Sequence, residues 1–267
     1  MSSRPKFNSP EAIDRRIAEG RGTGEGPYYI PWINIHDFAS WGQRRRSYNH
    51  KAQRLINTLS RLEFFNYLLA TADEEVVDIQ ENFPLRREKS VQIASDNDIK
   101  HPRASKDCAI VMSTDLRLTI RRNGKIHYKI WTTKYTDELR KWRTLEKLKI
   151  DELYWTTEPN HSWELRTEDK LPRDFLDNVE WLYPVLRPGA MLGIGPDQIR
   201  RVNDALRRPV LQQGSSLIEV TDWSDNFFKL SPGTSMLVVR YLLATETWRT
   251  DLRKKWDPFK PLMLEAA

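Results

Sequence analysis

The sequence predicts an α/β (α+β) sheet domain followed by a mainly helical domain, and three observations carry that prediction. Between Ile110 and Arg121 apolar and polar residues alternate, with Met112, Leu116, Leu118 and Ile120 on one side and Ser113, Asp115 and Arg117 on the other, the period of a β-strand. Asn123-Gly124 follows, a pair that tolerates the positive φ of a two-residue hairpin turn, and residues 125 to 133 supply the return strand. Beyond residue 168 the pattern changes, with helical spacing through 173–183, 196–211 and 234–247. The expected domains are therefore 1–168 and 169–267.

Each remaining element has its own signal. Residues 1 to 27 are polar and contain Gly20, Gly22, Gly24 and Gly26, with no strand before them and no helix after, so they read as a loosely ordered arm and not as a phosphate-cradling loop. From Lys51 to Ala70, Leu55, Leu59, Leu62, Phe65 and Leu69 recur every three or four residues, which predicts one amphipathic helix. Glu63 lies at the margin of that stripe, the place of a solvated flank unless a partner is found for it. Val76 to Ile79 reads as a short strand ended by Pro84, and Trp163 to Thr167 as another. Between them Thr136, Asp137 and Glu138 resemble a capped helix start, with Leu139, Trp142, Leu145 and Leu148 as its buried stripe. In the last hundred residues, Pro232-Gly233 precedes the final helix and Arg249, Arg253, Lys254 and Lys255 follow it, a layout that suits a helix-turn-helix module with a wing.

Composition narrows the function classes. No stretch approaches the roughly 20 apolar residues of a membrane span, and Arg4, Lys6, Asp14, Arg15 and Arg16 leave no signal-peptide core, so a soluble, cytoplasmic protein without a membrane partner is expected. Cys108 is the single cysteine, which excludes an intramolecular disulfide and a cysteine-rich zinc site. His36, His50, His101, His127 and His161 lack metal-ligand spacing. The net charge is +6, compatible with nucleic-acid binding without requiring it. Between Ala39 and Leu62 there are six cations (Arg44, Arg45, Arg46, Lys51, Arg54 and Arg61) and no acid, interleaved with Trp41 and Tyr48. Such a run can neutralise phosphates, or it can be a solvated loop.

The hairpin carries the chemistry. A turn centred on Asn123 and Gly124 sets Asp115 opposite Thr132 and leaves Lys134 diagonal to it on the same face. An Asp and a Lys so placed can flank a metal-bound water aimed at a phosphodiester. The same register puts Ile126, Tyr128 and Ile130 on the polar side of the first strand, so either both faces of the sheet are covered or a bulge shifts the pairing by one. The competing reading is a structural ion pair between Asp115 and Lys134.

Several runs then match a known family in order: Arg16-Ile-Ala-Glu-Gly-Arg-Gly, Tyr29-Ile-Pro-Trp-Ile, His50-Lys51, Asp78-Ile79 with Phe83-Pro-Leu, Ile99-Lys-His-Pro, Val111-Met-Ser-Thr-Asp, Arg143-Thr-Leu-Glu-Lys-Leu, Tyr154-Trp and Glu180-Trp-Leu-Tyr. They resemble the TnsA family, the endonuclease subunits of heteromeric, multi-gene DNA transposases, and thin out after Tyr183. The resemblance implies a restriction-endonuclease-like N-terminal domain with a mixed sheet flanked by helices, and a winged-helix-like C-terminal domain. It implies two magnesium ions as cofactor and a catalytic set of Glu63, Asp115 and Lys134, with Glu63, Asp115 and the backbone carbonyl of Thr132 on the metal. Reference members carry Gln where this chain has Thr132; a carbonyl ligand makes that difference harmless, whereas a side-chain ligand would be weakened or replaced by water. Two carboxylates so clustered without metal should repel, and at least one should titrate upward.

By the same resemblance the subunit cuts the 5′ ends of a transposon, while a DDE-type transposase cuts and joins the 3′ ends and an ATP-dependent regulator licenses both. Arg44, Arg45, Arg46 and Lys51, with Arg253, Lys254 and Lys255, are the expected contacts to transposon-end DNA. The alternative from another class is a non-enzymatic DNA-binding or adaptor protein that acts through the winged-helix-like module.

Overall fold

The computed structural model describes residues 9–37, 44–49, 51–186, 189–212, 214–245 and 247–264. The chain divides into two compact units, residues 1–170 and 171–267.

The first unit opens with a helix where the glycine-rich arm was expected, α1 (Pro10–Ala18). Its start was legible: Ser9 accepts the Ala12 amide at 3.3 Å, Pro10 fills the first helical position, and Glu11 lies in the first turn. Ile13 packs with Trp32 and Cys108. The glycines that follow build a turn, and at Gly24 (φ +87°) a Cβ would stand 2.3 Å from the Tyr28 carbonyl oxygen.

A second correction concerns residues 51 to 70. Instead of one helix, β1 (Arg45–Asn49) and β2 (Arg54–Thr58) form an antiparallel hairpin, and α2 (Arg61–Thr71) begins only after it. Leu55 is 44% exposed while Ile56 is 1% exposed, the in-and-out period of a strand, so the Leu55 to Leu59 spacing fitted a helix by coincidence. Ser60 caps α2 by accepting the Glu63 amide at 3.1 Å.

The remaining elements are β3 (Val76–Pro84), α3 (Arg87–Asp96), the short pair β4 (Arg103–Ser105) and β5 (Cys108–Ala109), β6 (Ser113–Arg122), β7 (Lys125–Thr133), α4 (Trp142–Thr156) and β8 (His161–Arg166). The central sheet has the order β3-β6-β7-β8. It is mixed: β6 is antiparallel to β3 and to β7, whereas β8 is parallel to β7. A parallel neighbour needs a crossover, and α4 supplies it.

The hairpin register is the one expected, running from Arg122↔Lys125 to Leu116↔Trp131 with Asn123 and Gly124 at positive φ. The pairing carries no shift, and the apolar residues of β7 are covered only toward its end: Ile130 is 0% exposed and clusters with Leu85, Tyr154 and Trp155, whereas Ile126 beside the turn is 38% exposed. The α4 stripe needs correction. Thr136–Arg140 is a 3-10 turn, the helix starts at Trp142, and its buried side carries Leu148, Ile150, Asp151, Tyr154 and Trp155. That shift leaves Trp142 75% exposed.

The second unit contains α5 (Arg173–Leu182), α6 (Pro196–Gln212), α7 (Leu217–Phe228) and α8 (Thr234–Ala244). Helix α7 was not anticipated, although Ser216 and Glu219 form a capping box at its start. Among the described residues of this unit there is no strand, so the expected wing has no counterpart there. No helix among the described residues is long and apolar enough to cross a membrane.

Candidate active site

Three elements of the first unit converge on one cluster. Glu63 sits in the first turn of α2, where the Ser60 cap and a 2.8 Å bond from the Leu59 amide to its Oε2 fix the carboxylate at the helix start. Asp115 is near the beginning of β6, just beyond the last ladder pair. There its Oδ2 accepts the Thr133 amide at 2.6 Å and the Thr133 hydroxyl at 2.8 Å, so the carboxylate reaches Thr133 and not the facing Thr132. Lys134 follows directly, and its Nζ donates to the Thr133 carbonyl at 2.8 Å.

These groups lie within electrostatic reach of one another. Glu63 is pushed up to about 8, first by burial and then by the negative charge of Asp115, against the opposing Leu59 amide, Ser60 and Lys134. The upward shift expected of clustered carboxylates is thus present, and it falls on Glu63. Lys134 is raised above its ordinary value, chiefly by Asp115 and then by Glu138, Glu63 and Asp151, while burial pulls it down. The carboxylates around it therefore favour its charged form, the form that donates.

Two carboxylates held against their mutual repulsion fit a hard divalent cation, which accepts oxygen ligands and retains waters in the remaining positions. Among the described residues no group of three or more His, Cys, Asp or Glu side chains forms a cage for a metal, so any ion here would rest on few protein ligands.

The side chain of Thr132 is committed elsewhere. It lies at 5% exposure, and its hydroxyl bonds to Asp151 Oδ2 at 2.5 Å, to Thr114 Oγ1 at 2.9 Å and to Trp163 Nε1 at 3.2 Å. Asp151 escaped the sequence reading. Had the phase of α4 been read from Trp142, its place four residues before the buried Trp155 would have put an acid on the buried side. Burial raises Asp151 to about 6, against hydrogen bonds from Thr132, Trp163 and Trp155.

The expected DNA contacts belong to both units. Arg44 donates to the Ile35 carbonyl, Lys51 to the Asp73 carbonyl, and the Arg45 guanidinium lies 4.4 Å from the centre of the Phe64 ring. Arg46 is exposed on β1, in the first unit. In the second unit Arg253 and Lys254 pair with Asp251 at 2.8 and 3.8 Å, and Lys255 is exposed. Trp41 and His50 lie outside the described residues.

A mixed sheet flanked by helices is that of a restriction-endonuclease-like domain, and it carries Glu63 on a helix, Asp115 on a strand and Lys134 just past the end of another. Residues 73–168 match the family described as TnsA-like endonuclease N terminal, and residues 171–252 match TnsA endonuclease C terminal. The chain belongs to the TnsA family. It is 38% identical over 173 residues to the Transposon Tn7 transposition protein TnsA of Escherichia coli, an alignment covering 65% of this chain and 62% of that relative. The chain thus spans less than two thirds of the length of the curated relative it matches. Asp115, Thr132, Lys134 and Asp151 fall inside the N-terminal match, whereas Glu63 precedes it.

Proposed function

We propose that the chain is a metal-dependent DNA endonuclease that cleaves the 5′ ends of a transposon during cut-and-paste transposition. The observation that carries this reading is the cluster of Glu63, Asp115 and Lys134, in which two carboxylates share one field beside a cation. Family membership supplies the context of transposition. Residues 1–168 are the catalytic domain in this reading, and 169–267 contact DNA or the regulator.

Glu63 and Asp115, with the Thr132 carbonyl, would hold magnesium, in one or two ions; such ions supply an activated water and stabilise charge developing on the scissile phosphate. The protein's own part is positional. Asp115 is oriented by the Thr133 amide and hydroxyl, and Glu63 by the Leu59 amide, so both carboxylates are set before substrate arrives. Lys134 orients the attacking water and donates to the phosphate. It can take a proton only once the carboxylate charge beside it is neutralised, because that charge is what raises it. Arg44, Arg45, Arg46 and Lys51, with Arg253, Lys254 and Lys255, contribute phosphate contacts that set register without reading sequence.

The partners are transposon-end DNA, a DDE-type transposase and an ATP-dependent regulator, and the site of action is the bacterial nucleoid in the cytoplasm. The test is reconstitution with the partner transposase, end DNA and magnesium, with strand-specific mapping of the cuts. Cuts at the 5′ ends that vanish in Asp115→Ala while DNA binding persists support the reading. Normal cutting by Asp115→Ala overturns it.

A further inference from the structure

We propose that Asp151 is a positioning residue for this active site: through the Thr132 hydroxyl it fixes the end of β7, where Thr133 orients Asp115 and Lys134 follows. The inference rests on the nuclease reading of Glu63, Asp115 and Lys134.

Asp151 is 4% exposed on the buried side of α4. Its Oδ2 accepts from the Thr132 hydroxyl at 2.5 Å and from Trp163 Nε1 at 3.0 Å, and its Oδ1 accepts from Trp155 Nε1 at 3.1 Å. The Thr132 hydroxyl has one proton to donate and two lone pairs to accept with. Its proton goes to Asp151, so in the 2.9 Å contact with Thr114 the donor is Thr114, and the 3.2 Å bond from Trp163 Nε1 takes the other lone pair. Every hydrogen-bonding position of that hydroxyl is used. The Thr132 side chain therefore has nothing left for a cation.

The same bonds tie Thr132 to three separate elements: β6 through Thr114, α4 through Asp151 and β8 through Trp163. The next residue, Thr133, holds Asp115 Oδ2 with its amide and hydroxyl, and the one after is Lys134. A strand cannot move at Thr132 without moving both neighbours, so the latch on the buried side sets the geometry on the reactive side. Burying a carboxylate is costly and an apolar residue would avoid that cost; here three donors offset it, and the result is a fixed Thr132. Asp151 also acts on Lys134 and feels Asp115, which puts the latch within electrostatic reach of the site.

The experiment compares Asp151→Asn, Thr132→Val, their combination and Asp151→Glu, in the full chain. Two quantities are read: the rate of 5′-end cutting with the partner transposase, and Mn2+ binding to the DNA-free protein by titration calorimetry. Loss of a residue that orients a metal ligand costs roughly 10- to 100-fold in affinity or activity, and that range is expected for both single variants in both measurements. The double variant should be no worse than the weaker single one, because both break one latch. Asp151→Glu, which keeps the carboxylate, should recover part of the lost Mn2+ affinity. Asp151→Asn and Thr132→Val that melt at lower temperature yet bind Mn2+ and cut like the parent would show a structural role only and overturn the proposal. Asp115→Ala in the same assay separates the two failures: if it still cuts, the nuclease reading of the site has failed, and if it is dead while the latch variants are normal, only this inference has.

Discussion

Two glutamates of the sheet unit, Glu81 and Glu63, are both withdrawn from water, and the fold treats them in opposite ways. Glu81 is 0% exposed and saturated: Arg54 grips both its oxygens at 3.0 and 2.6 Å, and the Asn57 amide and side chain add bonds at 2.9 and 3.2 Å. Its charge is cancelled within the fold. Glu63 has the Leu59 amide for a partner and faces the like charge of Asp115; burial first, and then that charge, raise its carboxyl to about 8 against the Leu59 bond. A closed carboxylate is a brace, whereas an open pair is stable only with a proton or a cation. That contrast supports the proposal that Glu63 and Asp115, and not Glu81, belong to the site.

The largest effect should come from opening that difference at Asp115. Asp115→Ala should lower 5′-end cleavage by at least about 1,000-fold, at a smaller cost in stability than a change at Glu81, because the lost Thr133 bonds and Lys134 attraction are partly offset by relief of Glu63. Glu81→Ala should do the reverse. It strands the buried Arg54 guanidinium, a change worth about 3–5 kcal/mol, and thermal unfolding of the first unit would show it. Equal sensitivity of both positions in stability would erase the distinction.

The pH dependence should be smaller and has a definite sign. Unfolded, Glu63 and Asp151 ionise near their ordinary values of 4.5 and 3.8; folded, they keep their protons up to about 8 and about 6. Their contribution to stability is complete below the unfolded values and is lost as pH rises, for Asp151 by about 6 and for Glu63 by about 8. The metal-free protein should therefore melt lower at pH 8 than at pH 5, and Glu63→Gln should flatten the upper part of that fall. Mn2+ should restore more at the higher pH, because binding needs the ionised carboxylate. The smallest effect is expected at Ser60, where Ser60→Ala removes the α2 cap for about 1 kcal/mol and loosens the first turn that carries Glu63.

The sequence exposed the hairpin fully, because Asn123-Gly124 fixes its register and alternation fixes its faces. Asp115 and Lys134 were legible for that reason. Glu63 was not: a Ser-x-x-Glu start at Ser60 was present but was submerged in a leucine spacing that ran on from β2, and only the fold brings Asp115 to it. Asp151 was hidden by a phase error, since the 3-10 turn at Thr136–Arg140 delays α4 and rotates its buried side away from the Trp142 and Leu145 stripe. Helices α1 and α7 announced themselves only through caps, at Ser9 and Ser216, in stretches whose glycines or weak spacing drew attention elsewhere.

The central claim, that Glu63 and Asp115 form an open pair made for a divalent cation beside Lys134, is tested most directly by a crystal grown with Mn2+ and measured for anomalous scattering. A peak is expected between the Glu63 and Asp115 carboxylates, with Thr133 still bonded to Asp115 and Asp151 still bonded to the Thr132 hydroxyl. A fully loaded crystal with no peak at that pair, or with Mn2+ bound to Asp151 in place of Asp115, would contradict it.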